Sequence, residues 1–528
     1  MTTTSSNFNS DGGSRQSFRF RNRIPSALQA AVNPLGGESS SNKFDENDAE
    51  SALPTSSKHE KWPGASLPPL LVAYQTHPRA ALWSVALPTT AIGLVRTLYG
   101  VVDAYWVSKL GTDAFAAVSG CSFAYWMVLL LLDVPAIGAQ CATSQNEGAG
   151  ARQGIWTAAV QGTYAACAIS LVLVLAAPHV HIYAHMLGLA DTTAVHARAV
   201  EYLYATLVSS PLLALSAVPA AAFRGLGDMR FALVVTAISG VINAALDPVL
   251  IWGVPSLGIP AMGVAGAAYA TSISALIAGI LLIVRLRSVT AATNQSPLLP
   301  LPNVRQILQF VVVGLPLSFS GILFSLAYVL LGRLCASLGT VHLAALGLGH
   351  RIESLAYHVT EGYGVASSSL VGQWLGAGKR AEAYSAYLLA RTTLLRIMIP
   401  LAILMSFVTP QIAGAFASDP VTADSCRRYL LTNVWVWPFM ALEGVADGAF
   451  TACGATTRSL IVSVSSNVLR IGGAYLAVHT LPVGKGASAA DYVWLAIALS
   501  CAIRGFVKKV LFERYFQAGG GEAKMVTA

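Results

Sequence analysis

Residues 110–152, LGTDAFAAVSGCSFAYWMVLLLLDVPAIGAQCATSQNEGAGAR, align without gaps on residues 338–380, LGTVHLAALGLGHRIESLAYHVTEGYGVASSSLVGQWLGAGKR, at an offset of 228. Leu110-Gly111-Thr112 matches Leu338-Gly339-Thr340, Gln145 matches Gln373, and Gly148–Arg152 matches Gly376–Arg380 but for one position. Asp133 falls on Glu361. About ten identities in such a window exceed what composition produces, so the chain carries an internal repeat. At an offset of 227 the match continues, with Pro211 on Pro438, Ala214-Leu215 on Ala441-Leu442, Phe223 on Phe450 and Gly227 on Gly454.

What is repeated is a set of membrane helices. Of the 528 residues, 55% are hydrophobic and only 11% charged, with a mean hydropathy of +0.60. Soluble domains carry about 25% charged residues, so an ordinary water-soluble enzyme is excluded. Twelve apolar segments follow residue 80, with cores near 80–106, 113–138, 157–178, 198–221, 230–253, 262–285, 307–332, 341–371, 383–409, 428–451, 459–481 and 490–512. Each is close to the roughly 20 residues that cross a bilayer, and a backbone in lipid must satisfy its own hydrogen bonds, so these are helices. Barrel strands of about 10 alternating residues are not seen. The fold class is an all-α membrane protein of twelve transmembrane helices in two pseudo-symmetric six-helix lobes. Six is even, so the lobes run parallel, and such repeats place a substrate site between them.

The expected boundaries are a disordered tail over 1–75, a first lobe over 76–285, a cytoplasmic linker over 286–306, a second lobe over 307–514 and a C-terminal tail over 515–528. The first tail is rich in Ser, Asn, Gly and Pro. Arg15, Arg19, Arg21 and Arg23 sit there in a Ser-rich, acid-poor stretch of the transit-peptide kind, while the acidic patch at 45–48 fits a plain cytosolic tail better. Arg152, Arg224, Arg230, Arg285, Arg287, Arg305, Lys379, Arg380, Arg458, Lys508, Lys509, Arg514 and Lys524 fall on one set of loops and the final tail. Fewer basic residues fall on the other set, so the first set, with both termini, is read as cytoplasmic. The net charge of +8 comes from these loops rather than from a nucleic-acid surface. The seven cysteines show no paired spacing and read as small buried hydrophobes, with no metal site. His179, His181 and His185 read as a wet loop.

Ionisable side chains inside lipid cost roughly 2.5–3.5 kcal/mol on insertion scales and need a reason. Asp103 lies in the outer part of the first segment and Asp247 in the outer half of the fifth. Asn243 and Asp247 are four apart and share a helix face. Tyr202 starts the fourth segment at a similar depth, and Thr271 lies about 14 Å into the sixth. Two carboxylates, an amide, a phenol and a hydroxyl can meet in one outer cavity. Two close carboxylates cannot both stay ionised cheaply, so the pair takes a proton or a cation. Pro88 can bend the first helix as a gating kink or a passive one. In the second half, Arg470 stands at the position of Asn243, while Arg351, Glu353 and Glu361 lie in or beside the eighth segment and Glu443 and Asp447 in the tenth. These form internal ion pairs, or Arg470, Arg351, Glu353 and Glu361 touch substrate.

Leu87-Pro88, Gly100-Val101-Val102-Asp103, Phe223–Arg230, Asn243-Ala244-Ala245-Leu246-Asp247-Pro248 and Gly266–Thr271 resemble motifs of the multidrug and toxic compound extrusion (MATE) family, in its DinF-like, plant-type branch. The resemblance covers about residues 78–514. It implies a secondary active antiporter that exports an organic metabolite or xenobiotic in exchange for H+ or Na+ by alternating access. It places Asp103, Asn243, Asp247, Tyr202 and Thr271 in the cation and proton site and makes Pro88 the bending proline. No Asp or Glu occurs in 307–332, a departure from branches with an acidic seventh helix. The alternatives are a lipid-linked saccharide flippase and a membrane-embedded transferase. No cofactor is expected beyond the coupling ion. The expected partners are a small organic substrate and membrane lipid, with no nucleic acid, in a monomer. The expected location is integral, multi-pass, in the plasma membrane or an organelle envelope such as that of a plastid.

Overall fold

The computed structural model describes residues 67–186, 192–291, 299–416, 419–482 and 488–525. Among these residues the only strand pairing is a single bridge between Val254 and Ile259, and everything else regular is helical. The first half holds α1 (Pro69–Thr76), α2 (Pro78–Ser108), α3 (Thr112–Gly148), α4 (Arg152–Ala176), α5 (His181–Met186), α6 (Ala194–Val208), α7 (Ser210–Leu226), α8 (Met229–Trp252) and α9 (Gly263–Thr290). The second holds α10 (Val304–Leu338), α11 (Thr340–Gly376), α12 (Arg380–Phe416), α13 (Pro420–Asn433), α14 (Trp437–Ala452), α15 (Thr456–Thr480) and α16 (Ala489–Gln517).

Each expected segment falls on one helix or one broken pair. Among the described residues, eight helices are long and apolar enough to cross a membrane, and nine if α6 and α7 count as one bent span. The helices that fall short are α11, α16 and the pair α13 and α14. They hold most of the ionisable groups of the second half, which lowers their hydropathy without shortening them. The tail expected through residue 75 ends sooner. α1 is ordered, with Leu71 and Tyr74 buried and the Tyr74 ring edge-on to Trp374 at 5.9 Å. The earlier part, with its basic run, lies outside the described residues, as do 292–298 of the linker.

The repeat has a physical basis in its glycines. α3 and α11 begin and end at matched positions of the repeat. Gly111 (φ +108°) and Gly339 (φ +137°) open them, and Gly150 and Gly378 (both φ +70°) follow them. Side chains rarely adopt such angles, so these matched positions keep glycine. Pro211 and Pro438 sit in the first turns of α7 and α14, and each follows a break in the helix line. The first break bends the fourth span by 53° at Ser209, and the second is the 3-10 turn Val434–Val436.

The two halves meet where α3 and α11 cross. A Cβ on Gly148 would overlap the carbonyl of Gln373, and one on Gly376 would overlap that of Gln145. Two matched glutamines reach across to the opposite half. Gln145 donates to the carbonyl of Ala452 at 2.8 Å, and Gln373 donates to those of Gly225 and Leu226, each at 3.0 Å. They satisfy carbonyls at the ends of α14 and α7 that no intrahelical donor reaches. The final tail joins the same crossing, where the Met525 N–H donates to Gln145 Oε1 at 2.8 Å. Towards the other ends of the helices, the apolar clusters draw on one half each. One set holds Val107, Ile251 and Val264, another Cys121 and Leu203, and a third Leu331, Tyr429 and Trp494. The halves are therefore joined at the crossing end.

Gly148→Leu and Gly376→Leu should each lower the thermal unfolding midpoint of the detergent-purified protein, with an overpacking cost of about 1–3 kcal/mol. Gly347→Leu, where an added Cβ meets nothing within 4 Å, should leave the midpoint in place. An unshifted midpoint for Gly148→Leu would contradict the crossing.

Candidate functional site

Three helices bring the first acidic cluster together. The close approach of α2 and α8 depends on Gly240, where a Cβ would overlap the Tyr99 ring. One to two turns further along, the Asp103 carboxyl on α2 faces Asp247 and Asn243 on α8 and Thr271 on α9. The Asn243 amide lies 3.5 Å from the Thr271 hydroxyl, which itself donates to the Ala267 carbonyl at 3.1 Å. Asp247 is fully buried. Both of its carboxyl oxygens and Oδ1 of Asp103 lack a hydrogen-bond donor among the described residues. Unpaired carboxyl oxygens in a buried site call for a proton or a cation.

Tyr202, on α6, lies within electrostatic range of Asp103 and Tyr125, packed beside Val107 and Ile251. No hydrogen bond joins it to Asp103 among the described contacts. α2 runs unbroken through Pro88. Fifteen residues, or about 22 Å at the helical rise, separate Pro88 from Asp103.

A second group lies between the halves, near the crossing. A small pocket is lined by Thr89 and Arg96 on α2, Arg224 on α7, Thr236 on α8 and Glu361 on α11. Arg224 lies 3.9 Å from Asp133 and donates from Nε to Gln140 Oε1 at 2.9 Å, while His358 lies 3.3 Å from Glu361. The carboxylates at the matched repeat positions 133 and 361 thus face one pair of arginines. Arg224 is not a loop charge, as its place in the basic count implied. It sits in the last turn of α7, where the guanidinium turns back into the interior.

The third group fills the second half. Glu443 accepts from Arg504 Nε at 2.8 Å and from Lys508 Nζ at 2.9 Å, and Lys508 also reaches Asp447 at 2.8 Å. The Lys508 side chain is 2% exposed, so this residue too is an internal partner rather than a tail charge. Glu443 and Asp447 are thus paired with Arg504 and Lys508, and not with Arg351 or Arg470. Arg504 and Lys508 are four apart on α16 and share the face that packs on α14. Glu353 accepts from the Tyr429 hydroxyl at 2.7 Å and lies 3.8 Å from His350. Arg351 is exposed. Arg470 is fully buried on α15, donating from Nε to Ser500 Oγ and from Nη2 towards Cys501 Sγ, both at 2.8 Å. The rings of His179, His181 and His185 follow one another at centroid distances of 6.4 and 6.2 Å on the short turn and helix after α4.

The family model described as MatE matches residues 88–249 and 316–476. A probable multidrug resistance protein NorM of Thermotoga maritima is 24% identical over 440 residues, covering 82% of this chain and 92% of its own. An FAD transporter of Shewanella oneidensis is 26% identical over 400 residues, covering 74% of this chain and 85% of its own. Among solved structures, a MOP superfamily transporter from Pyrococcus furiosus, described by the reverse polarity of its binding pocket, superposes with a TM-score of 0.76 at 22% identity. That match covers 86% of this chain and 99% of the other, and it shows a shared fold.

Removing one member of a buried ion-pair network leaves the others uncompensated, at a cost of about 3–5 kcal/mol. Lys508→Ala should therefore lower the unfolding midpoint strongly. Arg351→Ala, at an exposed position, should change stability by less than about 0.5 kcal/mol. Equal midpoints for the two variants would contradict the network.

Proposed function

The chain belongs to the MatE family, whose members are multi-pass membrane transporters rather than enzymes, and from that premise we propose that it is a secondary active antiporter exporting a small organic compound in exchange for H+ or Na+. The observation that carries this reading is the carboxylate pair, Asp103 and Asp247, facing each other across α2 and α8 with Asn243 and Thr271 beside them and, among the described residues, no basic side chain to neutralise it. A coupling site must hold a cation in one state and release it in another. Two carboxylates with no resident base can do so, whereas Glu443 and Asp447 are already neutralised by Arg504 and Lys508.

The proposed cycle follows from the placement of the groups. The twelve spans form two lobes, joined at the crossing of α3 and α11 and parted towards the carboxylate pair. In this state the pair takes a proton or Na+ from the far side, and substrate leaves. Filling the pair removes the charge that keeps Asp103 and Asp247 apart and lets α2 draw closer to α8 and α9. Pro88, at a distance along α2 and lacking one backbone hydrogen bond, is where the helix yields. The crossing then loosens and the far side closes. The charged pocket lined by Arg96, Arg224 and Glu361, with Asp133 behind Arg224, lies between the lobes on the side that would open, where a substrate arriving from within would first meet it. The basic loops near the crossing support a cytoplasmic location for that side and for both termini. Each chain holds both lobes, so a monomer suffices.

In proteoliposomes loaded with ethidium, an imposed H+ or Na+ gradient should drive efflux by the wild-type protein. Asp103→Asn and Asp247→Asn should each reduce gradient-driven efflux at least tenfold while leaving the thermal midpoint close to that of the wild type. Undiminished efflux from both variants would overturn the coupling site.

A further inference from the structure

The matched helices of the two halves carry opposite chemistry. α8 presents Asn243 and Asp247 to the first cavity, and at the matched positions α15 has Arg470 and Ala474. Arg470 is fully buried, its Nε and Nη2 bond only neutral atoms, and its Nη1 has no partner. Among the described residues no carboxylate lies within ion-pair distance of it. The nearby acids are engaged elsewhere, Glu353 by the Tyr429 hydroxyl at 2.7 Å, and Glu443 by Arg504 and Lys508. A buried guanidinium without a counter-charge is costly, and the position calls for an anion.

Further unmet groups lie on the same stripe. Ser463, Asn467 and Arg470 are spaced four and three apart and share one face of α15. The Ser463 hydroxyl and both amide atoms of Asn467 are buried without hydrogen-bond partners. Over the stripe stand two half-buried rings of α10. The Arg470 guanidinium lies 5.5 Å from the Phe324 ring centroid and 5.7 Å from that of Tyr328, and Arg504 approaches Phe324 from another side at 5.7 Å.

We propose that this face of the second half binds the carboxylate of an aromatic organic acid. The carboxylate oxygens accept from Arg470 Nη1, the Asn467 amide and the Ser463 hydroxyl. The ring of the ligand takes a place against Phe324 and Tyr328, which swing from above the guanidinium to admit it. Arg470 stays charged at any physiological pH and offers its donors in a plane, which suits a carboxylate better than a lysine would. This adds an anionic class of cargo for the antiporter and so rests on that reading, but binding needs no gradient and is tested without one.

The experiment is equilibrium binding of fluorescein, an aromatic carboxylate, to the purified full-length protein in detergent, followed by fluorescence anisotropy. Ethidium serves as the cationic control. Saturable fluorescein binding is expected for the wild type, weakened at least tenfold in Arg470→Gln and in Asn467→Asp, and only partly in Arg470→Lys. Ethidium affinity should not fall in Arg470→Gln. Asn467→Asp keeps the size of the side chain and carries the test if Arg470→Gln does not fold. Absence of saturable fluorescein binding to the folded wild type, or equal affinity in Asn467→Asp, overturns the proposal. If ethidium efflux still depends on Asp247, that failure removes the anion site alone. Fluorescein binding that depends on Arg470 in a protein without gradient coupling would uphold the site and remove the antiporter reading.

Discussion

An ionised side chain placed in a membrane span must find a partner or give up its charge, and the interior of this protein is arranged around that demand. In the second half the demand is met within the chain. Glu443, Asp447, Arg504 and Lys508 pair across α14 and α16, and Tyr429 donates to Glu353. Between the halves, Asp133 and Glu361 stand near Arg224 and His358. Among the described residues, the Asp103–Asp247 pair and Arg470 are left without such internal compensation. They lie on opposite halves and have opposite sign. Under the proposed function, this criterion separates structure-building charges from those that meet mobile species.

The crossing of α3 and α11 fixes how the two halves can move. Glycines at 148 and 376 bring the backbones into contact, and Gln145 and Gln373 bond the helix ends of the opposite half. These bonds are few and polar, made by side chains that can find water or another carbonyl once parted. The contact can therefore hold one arrangement firmly without making it permanent. Met525, bonded to Gln145 and Asn146, adds the end of the chain to the same junction. Any rearrangement that opens the crossing must also release this tail.

Much of the fold was legible in the sequence because membrane helices are written in long apolar runs and the repeat is written in identities. Gly111, Gly150 and their matches recur because their backbone angles exclude other residues. The four-residue spacing of Asn243 and Asp247 was enough to put both on one face, and the structure brings Asp103 and Thr271 to it. The helix breaks at Ser209 and Val434–Val436 had a signal in the matched prolines 211 and 438, yet a proline in a first turn reads equally as an ordinary start. What did not show was the destination of charges near helix ends. Arg224 and Lys508 belong by sequence to basic loops. Only the packing of α7 against α3 and of α16 against α14 turns them inward. Tyr202 packs beside Val107 and Ile251, within electrostatic range of Asp103, and depth alone does not say whether two groups touch.

The central claim is that Asp103 and Asp247 hold one exchangeable cation between them. Infrared difference spectroscopy on the purified protein, taken at neutral pH with and without Na+, reads it most directly. A pair that shares one proton gives a protonated carboxylic-acid carbonyl band in the absence of Na+, and that band is missing from Asp247→Asn. If the band disappears from the wild type on adding Na+, the pair takes either ion. If the wild-type protein shows no such band without Na+, both carboxylates are ionised side by side with no cation, and the claim fails.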